Sequence, residues 1–164
     1  MHCKIIEIVP DLEEPLPKSE WARSDDLPES FVGEIADYTD DIDEKYAEHI
    51  KDSFVEDFGE HCVRDGDWIT FDEGAKKVDV EDRYQEFIKA AKSLSEMTLD
   101  EFCGLGDTNK LDHTVWMLGD RYDDKFGLYV YDSAACDLTP YTAWMRRMVP
   151  GKRYFMGSVI DYHW

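Results

Sequence analysis

An α+β domain, with an antiparallel or mixed sheet of about four to five strands and helices mainly on one face, is the architecture this chain predicts. Three observations carry that expectation. β-prone segments stand near both termini, at residues 3–9 and 153–164. A pair of shorter segments at 113–118 and 125–131, with the polar stretch GDRYDD between them, reads as a hairpin. Between these lie segments whose apolar residues recur at helical spacing.

Residues 3–9 (CKIIEIV) are rich in β-branched side chains and stop at Pro10, so they read as the first strand. Residues 10–28 hold four of the six prolines and read as a surface loop. Residues 34–60 read as one amphipathic helix. Ile35, Tyr38, Ile42, Tyr46, Ile50 and Phe54 form its apolar stripe, with Asp37, Asp41, Glu44 and Glu48 roughly opposite. A start near Ser30, or a division near Thr39, is also compatible with the pattern, and Gly59 closes it after Phe58.

Residues 67–71 (DWITF) read as a short strand. Asp79 is placed to cap a helix that carries Val80, Tyr84, Phe87, Ala91 and Leu94 on one face. Thr98 and Glu101 have capping-box spacing for a short helix reaching Cys103, and residues 104–112 read as a loop. After the hairpin, Thr139 before Pro140 starts a brief helix to about Met148. Residues 153–164 then form a long aromatic strand running to the last residue.

The 164 residues suit a single domain spanning 1–164. With 13% aromatic residues the chain can build a core despite its net charge of −20, which in an aromatic-poor sequence would signal disorder. The charge is lopsided. Residues 1–60 hold 19 acids and 5 bases, residues 61–110 hold 12 and 7, and residues 111–164 hold 7 and 6. Nucleic acids and anionic membranes both require cationic footprints, so the balance argues against direct binding to either and makes a basic protein the natural complement. With no leader pattern and no apolar run near 18 residues, the expected location is the cytoplasm. Cys3, Cys62, Cys103 and Cys136 are scattered without a CxxC pair and read as reduced thiols.

The candidate functional surface is the acidic side of residues 34–60. Asp37, Asp40, Asp41, Asp43, Glu44, Glu48, Asp52, Glu56 and Asp57 stand against only Lys45 and Lys51. Carboxylates at these spacings repel one another by a few tenths of a kcal/mol each, so they do not serve helix stability. A helix from 37 to 57 would run about 30 Å, a length in which one DNA strand presents roughly nine phosphates. Glu13, Glu14, Asp25 and Asp26 in the preceding loop extend the same charge.

Other chemistry is weakly encoded. Residues 64–73 have the Asp-Gly of a calcium loop, but register on Gly66 puts His61 first, Val63 third and Asp72 twelfth, which removes two oxygen ligands and the bidentate glutamate. His2-Cys3, His61-Cys62 and His113 lack zinc-ligand spacing. Cys103 with His113 and Asp112 lacks the surroundings of a thiol nucleophile, and residues 104–110 fail the phosphate-loop spacing. Arg146, Arg147, Lys152 and Arg153 are expected to pair internally or face solvent, and Tyr154, Phe155, Tyr162 and Trp164 to belong to the core.

The reading that follows is a non-enzymatic inhibitor, without cofactor or metal, that shows a phosphate-like surface to a basic nucleic-acid-binding nuclease or effector. In length and charge balance the chain is similar to the small anti-defence proteins of phages and mobile elements, the anti-CRISPR and antirestriction DNA mimics. Acidic immunity proteins that neutralise nuclease toxins have the same sequence character, as does an accessory protein-binding domain. The competing class is a carboxylate enzyme using a divalent metal, for which Asp65, Asp67, Asp72 and Glu73 are the residues to inspect.

Overall fold

The computed structural model describes residues 1–78, 80–105 and 108–164, with the backbone alone for residues 82 and 108–110. The two longest β-prone segments, His2–Pro10 (β1) and Arg153–His163 (β7), become central neighbours, antiparallel over nearly their whole length. Around them the sheet runs β3-β4-β7-β1-β5-β6. The flanking strands are Cys62–Asp65 (β3), Trp68–Phe71 (β4), Tyr129–Asp132 (β5) and Asp137–Pro140 (β6). A seventh, Tyr38–Asp41 (β2), also pairs with β7. Only β1 with β5 is parallel, so the sheet is mixed and the class is α+β, with more strands than the sequence suggests.

β1 occupies one edge of β7, which leaves the opposite edge for β2 and β4 together. β4 pairs with residues 153–155 and β2 with residues 160–163. Between them, on this edge, residues 157–159 of β7 have no strand beside them among the described residues.

The two faces of the sheet are covered differently. On one, Ile6, Ile8, Ile69, Phe71 and Met156 pack against two helices, Glu44–Glu56 (α2) and Tyr141–Arg147 (α7). On the other, Ile5, Tyr129 and Tyr162 meet Ala22, Leu27 and Phe31 from the segment 11–36, while Val9, Trp68 and Phe155 meet Leu12, Leu16 and Trp21. That segment is irregular, broken by 3-10 turns at Lys18–Glu20 and Ser24–Asp26 and by a short helical element at Phe31–Glu34 (α1) whose backbone departs from helical geometry at Val32 and Gly33.

Glu7 sits between these two apolar clusters and is 1% exposed. A register shift between Ile6 and Ile8 accompanies it in β1. Its Oε2 accepts N–H groups from Ala22 at 3.0 Å and Ser158 at 2.9 Å, which ties the covering segment to the sheet. The carboxylate fits only because Gly157 has no side chain: a Cβ there would stand 2.1 Å from Oε2.

The remaining helices are Ala75–Val78 (α3), Glu81–Ser95 (α4), Leu99–Phe102 (α5) and Thr108–Asp123 (α6). α4 and α6 pack together, and α6 reaches α7. Thr98 and Glu101 make the expected reciprocal capping box of α5. α7 begins one residue later than its sequence suggests: Pro140 is the N-cap, without a side-chain cap bond, and Thr139 lies in β6.

Several expectations are corrected. Residues 34–60 are not one helix, because residues 38–41 are drawn into the sheet by pairing with β7, and α2 begins only after Asp43, whose side chain accepts the Tyr46 N–H. The inward face of α2 also differs from the predicted stripe: Ala47, Lys51 and Phe54 are buried while Tyr46 is exposed. Residues 113–118 belong to α6 rather than to a hairpin. Leu111, Thr114, Leu118 and Arg121, each partly buried, show the helical spacing that the β-branched and aromatic run TVWML hides. The second arm survives as β5, and its partners are β1 and β6. Strands β3 and β6 are not among the segments that the sequence marks as β-prone. The proposed cap Asp79 lies outside the described residues, and the expected loop 104–112 gives way to α6 from Thr108 onward.

Candidate functional site

Of the thirteen candidate carboxylates, all but Glu48 are exposed. They are distributed over several elements. Asp40 and Asp41 lie on β2, Asp37 just before it, and Asp25 and Asp26 in a 3-10 turn at Ser24–Asp26. The turn is joined to β2 by the Ser24 N–H donated to Asp41 Oδ1 at 2.7 Å, so these acids share one region. Asp43 opens α2, Glu44, Glu48, Asp52 and Glu56 follow along it, and Asp57 caps its end. Glu13 and Glu14 follow β1, and the adjoining Leu12 packs at the Phe155 end of the sheet, whereas β2 pairs at the Tyr162 end, about 20 Å away along β7. The structure therefore brings Asp25 and Asp26 beside the β2 acids, whereas Glu13 and Glu14 lie toward the other end of β7 from β2, with no hydrogen bond or ion pair joining them to the remaining candidates among the described residues.

The face is less negative than its carboxylates alone imply. Lys18 pairs with Glu44. Arg64 reaches both Glu48 at 2.6 Å and Asp52 at 2.5 Å, and Lys51 donates to Glu48 at 2.9 Å. Burial raises the Glu48 carboxyl, but the bonds from Lys51 and Arg64 outweigh it and hold the group below the usual glutamate range. α2 with its cap residues carries six acids over about 20 Å, close to the phosphate number of one DNA strand in that length. Three of those six already have cationic partners. The carboxylates of Asp25, Asp40, Glu56 and Asp57 have no hydrogen-bond or ion-pair partner among the described residues.

Where β7 lacks a neighbouring strand, Ser158 and Val159 floor a cleft of about 180 Å³, rimmed by Trp21, Asp41, Glu44 and Glu48. Lys51 of α2, 0% exposed, places Nζ 4.2 Å over the ring of Trp21, one of the rim residues.

At the end of β7, Asp161 stands opposite Lys4 on β1 and Asp40 on β2. Burial raises its carboxyl, but bonds from Lys4 and His2 outweigh that effect and hold it below its ordinary value of 3.8. Because the folded value is the lower one, ionised Asp161 stabilises the fold above pH 3.8, and this contribution is lost as the pH falls through the folded value. Thermal melts between about pH 6 and about pH 2 are expected to show a shallower acid decline for Asp161→Asn than for the parent chain. Parallel declines would exclude this role.

The other sequence candidates do not assemble. Residues 64–73 form the β3–β4 hairpin, with Gly66 at the first turn position and φ of 61°. Asp72 binds His61 and caps the Gly74 N–H, and these contacts hold its carboxyl below the usual range. Among the described residues, no three His, Cys, Asp or Glu side chains are grouped to hold a metal ion. Cys103 and His113 are exposed without a hydrogen bond between them among the described residues, and Cys62 is buried, which raises its thiol to about 11. Lys152 pairs with Asp11, Arg147 with Asp137, and Arg153 lies 4.1 Å over Trp68, so these three cations are used internally. Tyr154, Phe155 and Tyr162 are core residues and Trp164 is half-buried.

No helix among the described residues is long and apolar enough to cross a membrane. Neither a family model, nor a curated protein sequence, nor a solved structure matches this chain.

Proposed function

We propose that the chain is a small acidic inhibitor that binds a basic nucleic-acid-binding protein through the surface formed by β2, the Ser24–Asp26 turn and α2. In this reading it is an anti-defence protein of the anti-CRISPR or antirestriction type, its carboxylates taking the place of DNA phosphates. The supporting observation is their arrangement: exposed acids spread over adjoining elements, several without an internal partner, rather than converging as catalytic or metal-binding groups do. A partner presenting lysines and arginines gains from this surface a faster, salt-sensitive approach.

The test compares two triple variants of equal charge change. Asp25→Lys, Asp40→Lys and Glu56→Lys alter acids without internal partners, and Glu96→Lys, Asp100→Lys and Asp112→Lys serve as the control on the α4–α6 side. Capture from lysate containing CRISPR effectors, restriction enzymes and nuclease toxins is expected to yield a basic nuclease, bound and inhibited at about 0.1 M salt and released near about 0.5 M. The first variant should weaken this binding by at least about tenfold and the control should not. Equal losses in both variants, or a target that is not basic, would refute the proposal.

A further inference from the structure

A second site lies on the opposite character of surface. Between α4, α6 and α7 is a cleft of about 580 Å³, within the roughly 300–1,000 Å³ of small-molecule sites. Phe87, Tyr84 and Tyr122 supply aromatic walls, and Met145 with Thr142 supplies a buried floor. Four cations border it: Lys76, Arg83, Arg121 and Arg146. In a chain with 38 acids against 18 bases this clustering runs against composition, and no carboxylate lines the cleft among the described residues.

The cations are not equally committed. Arg83 pairs with Asp124 at 2.5 Å, and Arg121 pairs with Asp120 and Glu86. Arg83 nevertheless keeps Nη1 buried with no acceptor among the described residues. Lys76 and Arg146 have no carboxylate partner among the described residues. The Lys76 ammonium donates to the Arg146 carbonyl at 3.2 Å, and the Arg146 guanidinium, 4.0 Å over the Tyr122 ring, donates to the Tyr122 carbonyl. Donors with spare capacity beside an apolar hollow fit one chemistry, an apolar body that fills the hollow and a single anionic head that takes the free donors.

We propose that this cleft binds a free aryl or medium-chain acyl carboxylate, its hydrocarbon part against Phe87, Tyr122 and Met145 and its carboxylate between Lys76 and Arg146. The site is separate from the acidic face and does not depend on the inhibitor reading.

Calorimetric titration of the full chain with decanoate below its micellar concentration and with 2-naphthoate tests this, using decanol and naphthalene as the neutral counterparts. At least one of the two carboxylates is expected to bind saturably, one per chain, and at least about tenfold more tightly than its neutral counterpart. Lys76→Glu and Arg146→Glu are each expected to weaken that binding by at least about tenfold. Lys76→Glu removes no aromatic contact, so it remains informative if Arg146→Glu lowers the melting temperature. No saturable binding of either carboxylate, neutral compounds binding equally well, or insensitivity to Lys76→Glu would each overturn the proposal.

Discussion

Gly157→Ala is expected to destabilise the fold by about 3 kcal/mol, near the upper end of the range for overpacked cores. The added Cβ would lie 2.1 Å from Glu7 Oε2 and 2.9 Å from the Phe155 ring. Neither neighbour can retreat: Phe155 is 0% exposed, and the Glu7 carboxylate is held by the amides of Ala22 and Ser158. If Glu7 causes most of the cost, Glu7→Ala should partly accommodate Gly157→Ala. Urea denaturation of the parent, both single variants and the double variant measures this coupling, expected at about 1–2 kcal/mol in the rescuing direction. Strict additivity would show that the glycine is required for backbone reasons instead.

Lys51 gives the second large effect. It is 0% exposed, yet it carries a charge whose nitrogen is 2.9 Å from Glu48 and 4.2 Å from the Trp21 ring. Truncation by Lys51→Ala removes a buried hydrocarbon stem and leaves a hole beside Trp21, at an expected cost of about 2–4 kcal/mol. Lys51→Met keeps the stem, and Glu48 still has Arg64, so the loss should be only about 1 kcal/mol. Equal losses in the two variants, read from urea midpoints at constant m, would assign the effect to the charge rather than to packing.

These two residues show what could and could not be read from sequence. β1 and β7 were legible because residues 3–9 and 153–164 are long runs rich in β-branched and aromatic side chains. The box at Thr98 and Glu101 was legible because its chemistry is local. The break within residues 34–60 was not, since Ile35, Tyr38 and Ile42 fit a helical stripe and only pairing with β7, more than a hundred residues later, makes residues 38–41 a strand. Lys51 looked like solvent-facing relief for the acids, because nothing local marks the Trp21 ring as its neighbour.

For the acidic face, exposure followed directly from residue type, whereas its partial neutralisation did not. Lys18 meets Glu44 across 26 residues of sequence and Arg64 meets Glu48 across 16, with no motif to announce either contact. The cationic cleft left no sequence signal for the same reason. Its four charges are scattered from Lys76 to Arg146 and converge only when α4, α6 and α7 pack.

The central pairing of β1 with β7 also bears on how the molecule assembles. The loop that must close before these strands meet is about 140 residues long, costing roughly 2 kcal/mol more chain entropy than a ten-residue loop. Local units such as the β3–β4 hairpin can form early, but the middle of the sheet must wait until β7 has been synthesised, so such a topology folds slowly. Until then the apolar side chains of β1 lack their native neighbour on the growing chain, which makes that strand the segment most in need of shielding during synthesis.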